Sequence, residues 1–535
     1  MQATYFSLRT TAGFLLFTGA AFAWSPTITT TGVSPVTITD TSASPTTSVT
    51  YYSSTTVQVS WPACTFATCG WTADHYQVRA FRGSTEEKMQ ESSSASVSMT
   101  DLRAGTAYTF EIRACRYPTA CVTHVDSTTS GSWTMDIEAW LLDGVSTADA
   151  FDTVTQVALS LPSTGGTSYF DDGNTLAYAF RYGSGADSSL EGKVRLAYNP
   201  CHTTDCQWYD NGIRFNLSTY DTTALSNLSD FRLADWNYGF IREHSSPTSI
   251  VINAFQLIPL FHEEVVRMIF EGEAPDGNNR LYAIDAVDRG YAGLDYSVTV
   301  DVCGLPAQQP DLKLTGSEDC QPTIVINRDV DPHSFGSGLS QIRQSKVGFP
   351  MNTGWRWKTD STAFLVMTAT SKEEGELTPT TEVTCPGAGG ADGLYYALWN
   401  TSTEEFEVER DANGCPISLV DDAHGPVPVH LDDGRYKLYY EDFSAGDPQP
   451  FKEIFANAEE TGYATVVDYD DWDTAAVDVD FFWPTGQLMI DDDESLLGDH
   501  TVLYLDDGAN QVMYLNLGGG GTGSYGIGVA TLQNP

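Results

Sequence analysis

Beyond Met135, this chain of 535 residues has almost no helical periodicity and consists of short runs rich in Tyr, Phe and Gly. In five segments a short strand and an acidic or glycine turn precede a strand dense in aromatic and β-branched residues; they lie at 168–198, 260–285, 355–399, 424–441 and 500–532. One such sheet cannot bury both of its faces, and radial stacking supplies the missing partners. The repeats therefore predict an all-β, five-bladed β-propeller over 150–535, with unrelated hairpins in a β-sandwich as the alternative.

The region before the repeats also alternates polar and apolar residues, with runs at 56–61, 75–81 and 107–113 separated by turn residues. This period of two over about 90 residues predicts a β-sandwich. In detail the region resembles a fibronectin type III domain: Trp61 closes the second strand, Tyr76 lies in the third, and 102–108 matches the Leu, Gly-Thr and corner-Tyr segment of that family. The resemblance implies a spacer or adhesion module over 48–135.

The first 47 residues indicate export. Residues 1–23 have the pattern of a secretory signal, with Arg9 followed by an apolar run over 12–23 that ends in small residues. That run is shorter than the roughly 18 residues that a membrane-spanning helix needs. Residues 24–47 are rich in Ser, Thr and Pro and predict a linker. We therefore expect a secreted protein, extracellular or periplasmic, that has no membrane contact.

The charge balance is strongly acidic, with 71 acidic against 27 basic side chains and a formal net charge of −44. Binding of a polyanion would bring like charges together without the release of counterions that drives nucleic-acid binding. We therefore expect no nucleic-acid partner, and we expect the protein to act as a monomer.

Ten cysteines in an exported chain predict disulfides, and their spacing favours sequential pairing because three of the pairs close loops of only a few residues. The expected pairs are Cys64 with Cys69, Cys115 with Cys121, Cys201 with Cys206, Cys303 with Cys320, and Cys385 with Cys415. Structural zinc is disfavoured because the nine His residues are scattered along the chain.

The repeats resemble the five-bladed propeller glycoside hydrolases, the group that contains arabinanases, β-xylosidases, levansucrases and invertases. The segment 424–440 is the most similar stretch, followed by 267–272 with 280–283. The resemblance implies an extracellular glycan as partner and carboxylates that different blades direct into a central funnel. His424 stands before Gly425-Pro426 where that group has Glu, and no clear Asp-Pro opens the first repeat.

Glycoside hydrolysis needs one protonated carboxyl group and one ionised carboxylate on either side of the scissile bond. Glu271 and Glu441 are the catalytic candidates because each follows an apolar strand directly, where a charge is otherwise an odd choice. Their strands run back from acidic turns, so we expect both residues at the rim of the funnel. The alternative for each is a solvated loop carboxylate.

Further polar and aromatic side chains are expected near the same rim, where an aromatic face can stack on a sugar ring. The candidate substrate-binding residues are Arg181, Asn352, Trp355, His424, Asp442, Asp499 and His500. The two histidines could instead be hydrogen-bonded structural residues, and Trp355 could pack in a core. The acidic clusters 468–473 and 491–494 offer oxygen ligands for Ca²⁺ but lack EF-hand spacing, so exposed charge is the other interpretation.

Two functions follow from these patterns. The first is a secreted carbohydrate-active protein that binds, and in one version hydrolyses, an extracellular glycan. The second is a non-catalytic adhesion or recognition protein in which both modules serve as spacers and binding faces. No Walker loop, dinucleotide-binding fingerprint, HExxH motif or Gly-x-Ser-x-Gly elbow is present.

Overall fold

A computed structural model describes most of the first 146 residues and, beyond them, mainly the strands. The described residues are 24–41, 43–117, 121–127, 131–146, 167–171, 176–181, 194–199, 209–215, 252–259, 265–273, 279–288, 294–299, 323–324, 339–349, 361–371, 392–403, 405–412, 415–431, 434–445, 450–456, 466–489, 503–506, 511–517 and 526–535. They form two compact units. The first comprises the described residues of Met1–Val33, Thr55–Leu102 and Thr106–Met135, and the second those of Ser34–Ser54, Arg103–Gly105 and Asp136–Pro535.

Ten strands and one short helix precede residue 135. They are β1 (Thr29–Gly32), β2 (Val36–Asp40), β3 (Thr47–Tyr51), β4 (Val57–Ser60), α1 (Phe66–Cys69), β5 (His75–Arg82), β6 (Thr85–Ser92), β7 (Ser96–Met99), β8 (Ala107–Cys115), β9 (His124–Asp126) and β10 (Gly131–Thr134).

The first unit contains two antiparallel sheets that share one core. One sheet has the order β1-β4-β7, and the other has the order β10-β8-β5-β6 with β9 paired to β8. Alternate residues of β4, β5 and β8 point into the core, as the period of two predicts, and Trp61 packs edge-on against Tyr76 with ring centroids 5.2 Å apart. The fibronectin type III family of this unit stays a prediction.

Fifteen strands occupy the described residues between 139 and 421. They are β11 (Ala139–Ser146), β12 (Thr167–Asp171), β13 (Leu176–Arg181), β14 (Val194–Asn199), β15 (Tyr209–Phe215), β16 (Ile252–Pro259), β17 (Val265–Glu273), β18 (Asn279–Asp288), β19 (Leu294–Thr299), β20 (Thr323–Ile324), β21 (Leu339–Gly348), β22 (Phe364–Ser371), β23 (Asp392–Asn400), β24 (Glu405–Val408) and β25 (Ser418–Asp421).

Seven strands and two 3₁₀ turns follow. They are β26 (Ala423–His430), β27 (Tyr436–Asp442), a turn at Phe443–Ala445, β28 (Phe451–Ala456), a turn at Tyr469–Asp471, β29 (Trp472–Phe482), β30 (Leu503–Asp506), β31 (Gln511–Leu517) and β32 (Gly526–Leu532).

The sheets of the second unit follow chain order. The strands β12 to β15 form one sheet, β16 to β20 a second, β21 to β25 a third, and β2 pairs with β3 in a hairpin. The fourth is a curled sheet of eight strands in the order β26-β27-β28-β29-β11-β32-β31-β30. All described pairings are antiparallel except that of β11 with β29, so β11 joins two four-stranded groups into one sheet.

The leading strands of successive groups lie side by side: β12 contacts β16, β16 contacts β21, β21 contacts β26, and β30 contacts both β26 and β12. Strand β27 is buried on both faces. One of its faces packs with Phe364 and Tyr396, and the other with Trp140 and Phe481. These contacts give each group the neighbour that a lone sheet lacks.

The all-β prediction is confirmed, since helix in the described residues is confined to α1 and the two 3₁₀ turns. Strands β1 and β2 lie inside the predicted linker 24–47; β1 pairs in the first unit and β2 in the second. The domain boundaries stay predictions. Within the described residues, we find no helix whose length and apolar character would let it span a bilayer.

Candidate functional site

A bulge near the start of β26 sets the geometry around His424. His424 is opposite Glu441 on β27, but the next pair is Val427 with Tyr439, so two residues of β26 face one residue of β27. Gly425, one of the two, has a φ of 59°, a left-handed conformation that glycine adopts without steric cost. Bulges of this kind re-aim the neighbouring side chain and are common beside active sites.

The same irregularity recurs in two other leading strands. In β16 the register shifts between Ile252 and Phe255, so that two residues face Glu271 of β17. In β21 it shifts between Arg343 and Lys346, so that two residues face Met367 of β22. The bulges of β16 and β26 both lie near the start of the leading strand, but Glu271 faces the bulged residues of β16, whereas Glu441 pairs with His424, just before the bulge of β26. Glu271 and Glu441 lie near the ends of the second strands of their groups.

His424 and Glu441 are both withdrawn from solvent, with exposed fractions of 9% and 2%. The His424 ring lies against Phe443, with ring centroids 3.9 Å apart. The Gly425 N–H donates to Thr368 Oγ1 at 3.2 Å, which ties the bulge to β22 of the neighbouring group. A carboxyl group removed from water is stable only with polar partners or a proton, and His424 is the polar residue directly opposite Glu441.

Asp442 points to the opposite face of β27 from Glu441, because side chains alternate along a strand. Its Oδ2 lies 2.6 Å from Lys452 Nζ, and its Oδ1 accepts hydrogen bonds from the backbone N–H and the hydroxyl of Ser444. Burial acts to raise the pKa of Asp442, but Lys452 and Ser444 outweigh it and hold the pKa below its usual value. Asp442 is therefore ionised near neutral pH and is suited to fixing charge rather than to donating a proton.

A buried charged network lies along the same face of β27 as Glu441. Lys437 contacts Glu138 Oε1 and lies 2.9 Å from Glu453 Oε2, and all three residues are buried. Glu138 Oε2 also accepts hydrogen bonds from Tyr439 Oη at 2.8 Å and Trp140 Nε1 at 3.0 Å. Burial and the Glu138 charge raise the pKa of Glu453 to about 8 despite Lys437. The carboxylates raise the pKa of Lys437 against the opposing effect of burial.

No motif or spacing in the sequence indicates this network as a unit. The feature that could have found it is a charged residue within an apolar strand. Glu441 is a candidate for this reason, and Lys437 and Glu453 show the same feature. The sequence around Lys437 does not indicate Glu138 as its partner, because the two residues are 299 positions apart in the chain.

The structure places two of the predicted site residues, His424 and Glu441, directly opposite each other, and Asp442 follows Glu441 on the other face of β27. Glu271 lies on β17 opposite Leu281, and Arg181 is the last residue of β13, opposite Val194. The remaining candidates lie outside the described residues: Asn352, Trp355, Asp499 and His500. The catalytic and binding roles of all these residues stay predictions.

Two predicted disulfides are present. Cys64 is bonded to Cys69 and Cys115 to Cys121, with Cα–Cα distances of 5.5 and 5.0 Å. Cys415 is also disulfide-bonded. The other five lie outside the described residues: Cys201, Cys206, Cys303, Cys320 and Cys385.

The acidic cluster proposed for Ca²⁺ at 468–473 makes contacts within the protein. Asp471 Oδ2 accepts the Asp468 N–H at 2.7 Å and caps the 3₁₀ turn, and Asp473 Oδ2 lies 3.1 Å from Arg103 Nη1. The second cluster, 491–494, lies outside the described residues. Calcium binding stays a prediction.

A scan against models of protein families found no match, and a search of curated proteins found none. Among solved structures, the chain is similar to the GH43_1 enzyme from Xanthomonas citri complexed with xylotriose, with 12% identity, coverage of 72% of this chain and 92% of that one, and a TM-score of 0.36. It is also similar to the catalytic domain of the Coprinopsis cinerea GH62 α-L-arabinofuranosidase, with 8% identity, coverage of 74% and 98%, and a TM-score of 0.37. A third is the exo-β-1,3-galactanase from Phanerochaete chrysosporium, with 11% identity, coverage of 72% and 63%, and a TM-score of 0.35. These values assign the chain to no family.

Proposed function

We propose that this is a secreted carbohydrate-active protein whose second unit is a five-bladed propeller that binds an extracellular glycan. The five groups of strands support the propeller, because their leading strands neighbour one another in succession. Each group corresponds to one blade, and β11 completes the last of them.

The observation that carries the proposal is the pair His424 and Glu441 beside the Gly425 bulge. The pair comprises an imidazole near the start of the leading strand β26 and a carboxyl group near the end of the second strand β27. We infer that the substrate implied by the resemblance to the propeller glycoside hydrolases binds beside this pair. Both groups can hydrogen-bond sugar hydroxyls. Glu271, near the end of the second strand two groups earlier, is the second carboxyl group of the proposed site.

For hydrolysis, the two carboxyl groups would act as general acid and as nucleophile or base. Glu441 is the better acid of the two described neighbours 441 and 442, because it is withdrawn from water whereas Asp442 is held ionised by Lys452. Glu271 takes the ionised role. His424 orients the Glu441 carboxyl group and the bound sugar.

The test is a binding and hydrolysis screen of the purified chain on arabinan, xylan, fructan and mannan oligosaccharides. For the glycan that binds, we expect Glu441→Gln to weaken affinity by up to about tenfold, since a hydrogen bond between uncharged groups contributes about 0.5–1.5 kcal/mol. If the glycan is cleaved, the same variant is expected to lose about a hundredfold or more in rate, the usual contribution of a general acid. Glu271→Gln should behave similarly.

Glu407→Gln is the matched control, because Glu407 is an exposed glutamate on β24 of the same unit. Full binding and activity in both Glu441→Gln and Glu271→Gln would contradict the site assignment. Absence of binding to every glycan would favour the adhesion alternative, which the two-sheet first unit and the replacement of the family Glu by His424 support.

A further inference from the structure

Three residues with metal-ligating atoms meet at one edge of the first unit. His75 begins β5 and is directly opposite Cys115, the last residue of β8, and Cys115 is bonded to Cys121. Directly opposite residues of antiparallel strands have Cβ atoms about 4.5–5.5 Å apart. A ring nitrogen of His75 and the two sulfur atoms all lie within 4.8 Å of one another.

The His75 side chain is buried, but its two ring nitrogens are not both hydrogen-bonded within the described residues. The residue is 8% exposed, and its Nδ1 is buried with no hydrogen-bond partner among the described residues. Its Nε2 faces Glu91, with Oε1 3.9 Å away. A buried ring nitrogen without a partner costs free energy, so this nitrogen indicates a ligand other than a protein hydrogen bond.

A second histidine flanks Cys115 but has a different environment. His124 of β9 is opposite Cys115 on its other side. Its side chain is 36% exposed, and its Nε2 lies 3.6 Å from Asp126 Oδ2. His75 is therefore the imidazole grouped with the two sulfurs, and His124 provides a matched control.

The geometry points to a redox-controlled metal site in which His75, Cys115 and Cys121 bind Zn²⁺ or a similar thiophilic ion once the disulfide is reduced. A dithiol reductant supplies two electrons and is itself oxidised to a disulfide, while the Cys115–Cys121 bond breaks to give two thiols. Zn²⁺ then displaces the two thiol protons and takes two thiolates and one neutral imidazole, with the fourth position open to water. In the oxidised chain the sulfurs are bonded to each other and are not thiolates.

The experiment uses the full chain, reduced with a dithiol that is then removed under anaerobic conditions. Co²⁺ is added as the spectroscopic probe, and Zn²⁺ is added in a parallel alkylation assay read by peptide mass. We expect a thiolate-to-cobalt charge-transfer band in the reduced chain but not in the oxidised chain. Zn²⁺ should slow the alkylation of Cys115 and Cys121 and leave that of Cys64 and Cys69 unchanged, so the second pair is an internal control.

The histidine variants decide the ligand set. His75→Ala should weaken Zn²⁺ binding at least about tenfold, since even changes beyond the direct ligands cost about 10–100-fold. His124→Ala should retain the wild-type affinity. Equal losses in the two variants, or no loss in His75→Ala, would overturn the assignment. The assignment would also be overturned if Zn²⁺ left the alkylation rates of all four cysteines in the reduced chain unchanged, whether or not the unit stays folded.

Discussion

Lys437 is buried against two carboxyl groups, those of Glu138 and Glu453. Glu138 and Glu453 come from different segments and both contact the Lys437 ammonium group. With two negative charges and one positive charge, the network carries a net charge of −1 when all groups are ionised. Taking such a charge out of water is costly, and retention of a proton by Glu453 removes that cost. The raised pKa of Glu453 is the consequence of this arrangement.

This shift predicts how stability depends on pH. The pKa of Glu453 rises from 4.5 to about 8 on folding, so between these values the native state keeps a proton that the unfolded chain releases. The free energy of unfolding contributed by this group is therefore greatest at low pH and falls as the pH rises through that window. Glu453→Gln, which cannot ionise, should lose less stability between about pH 5 and about pH 9 in denaturant titrations.

Glu407→Gln serves as the control for this prediction, because Glu407 is exposed and should leave the pH dependence of the wild type unchanged. An identical pH dependence in Glu453→Gln and the wild type would show that Glu453 does not retain its proton in the native state.

At the level of the strands, a bulge rather than a regular pairing positions the candidate site. Gly425 lies in the left-handed region, and its N–H is held by Thr368 of the neighbouring group. Without the extra residue, the register of β26 would shift by one, and His424 would no longer be opposite Glu441. The bulge therefore determines which side chains share the site.

Gly425→Ala tests this role. A side chain in the left-handed region costs about 1–2 kcal/mol, so we expect a loss of stability of that size in urea unfolding. Gly434→Ala is the control, because Gly434 also has a positive φ, 87°, and an added Cβ there would meet no atom within 4 Å. We expect both variants to be destabilised, but only Gly425→Ala to weaken glycan binding. If the two variants bind the glycan equally well, the bulge does not position the binding site.

Much of this element-level structure is visible in the sequence, and some of it is not. Alternation of polar and apolar residues predicts strands such as β5 and β8, and close spacing predicts the Cys64–Cys69 and Cys115–Cys121 bonds. Glu441, the charged residue that ends the apolar run of β27, is buried, and its place at the rim of a funnel stays a prediction. The register of β26 could not be predicted, because a bulge depends on backbone angles and on a partner strand. Glu138 could not be found either, because only the fold brings it to Lys437.

At the scale of the whole second unit, Asn534 connects segments that are far apart in the sequence. Its Nδ2 donates to the carbonyl oxygens of Tyr52 at 2.8 Å and Ile137 at 2.9 Å, and its Oδ1 accepts the Ala139 N–H at 2.8 Å. Its backbone carbonyl accepts the N–H of Ser54 at 2.7 Å. These bonds meet where β11 begins, next to Glu138, so they hold the strand that joins the two halves of the eight-stranded sheet.

Asn534→Ala should therefore weaken the second unit as a whole. The change leaves the buried Ala139 N–H and the part-buried carbonyls of Tyr52 and Ile137 without their side-chain partner. A fully buried group left in this way costs about 1–3 kcal/mol. We expect a loss of several kcal/mol, measured by urea unfolding followed through tryptophan fluorescence. Gln533→Ala is the matched control, because among the described residues the Gln533 side chain donates to Thr531 of the preceding strand β32 and its backbone bond to Ala139 is kept. Equal stability of the two variants would mean that β11 is held by its strand pairing and by Glu138 rather than by Asn534.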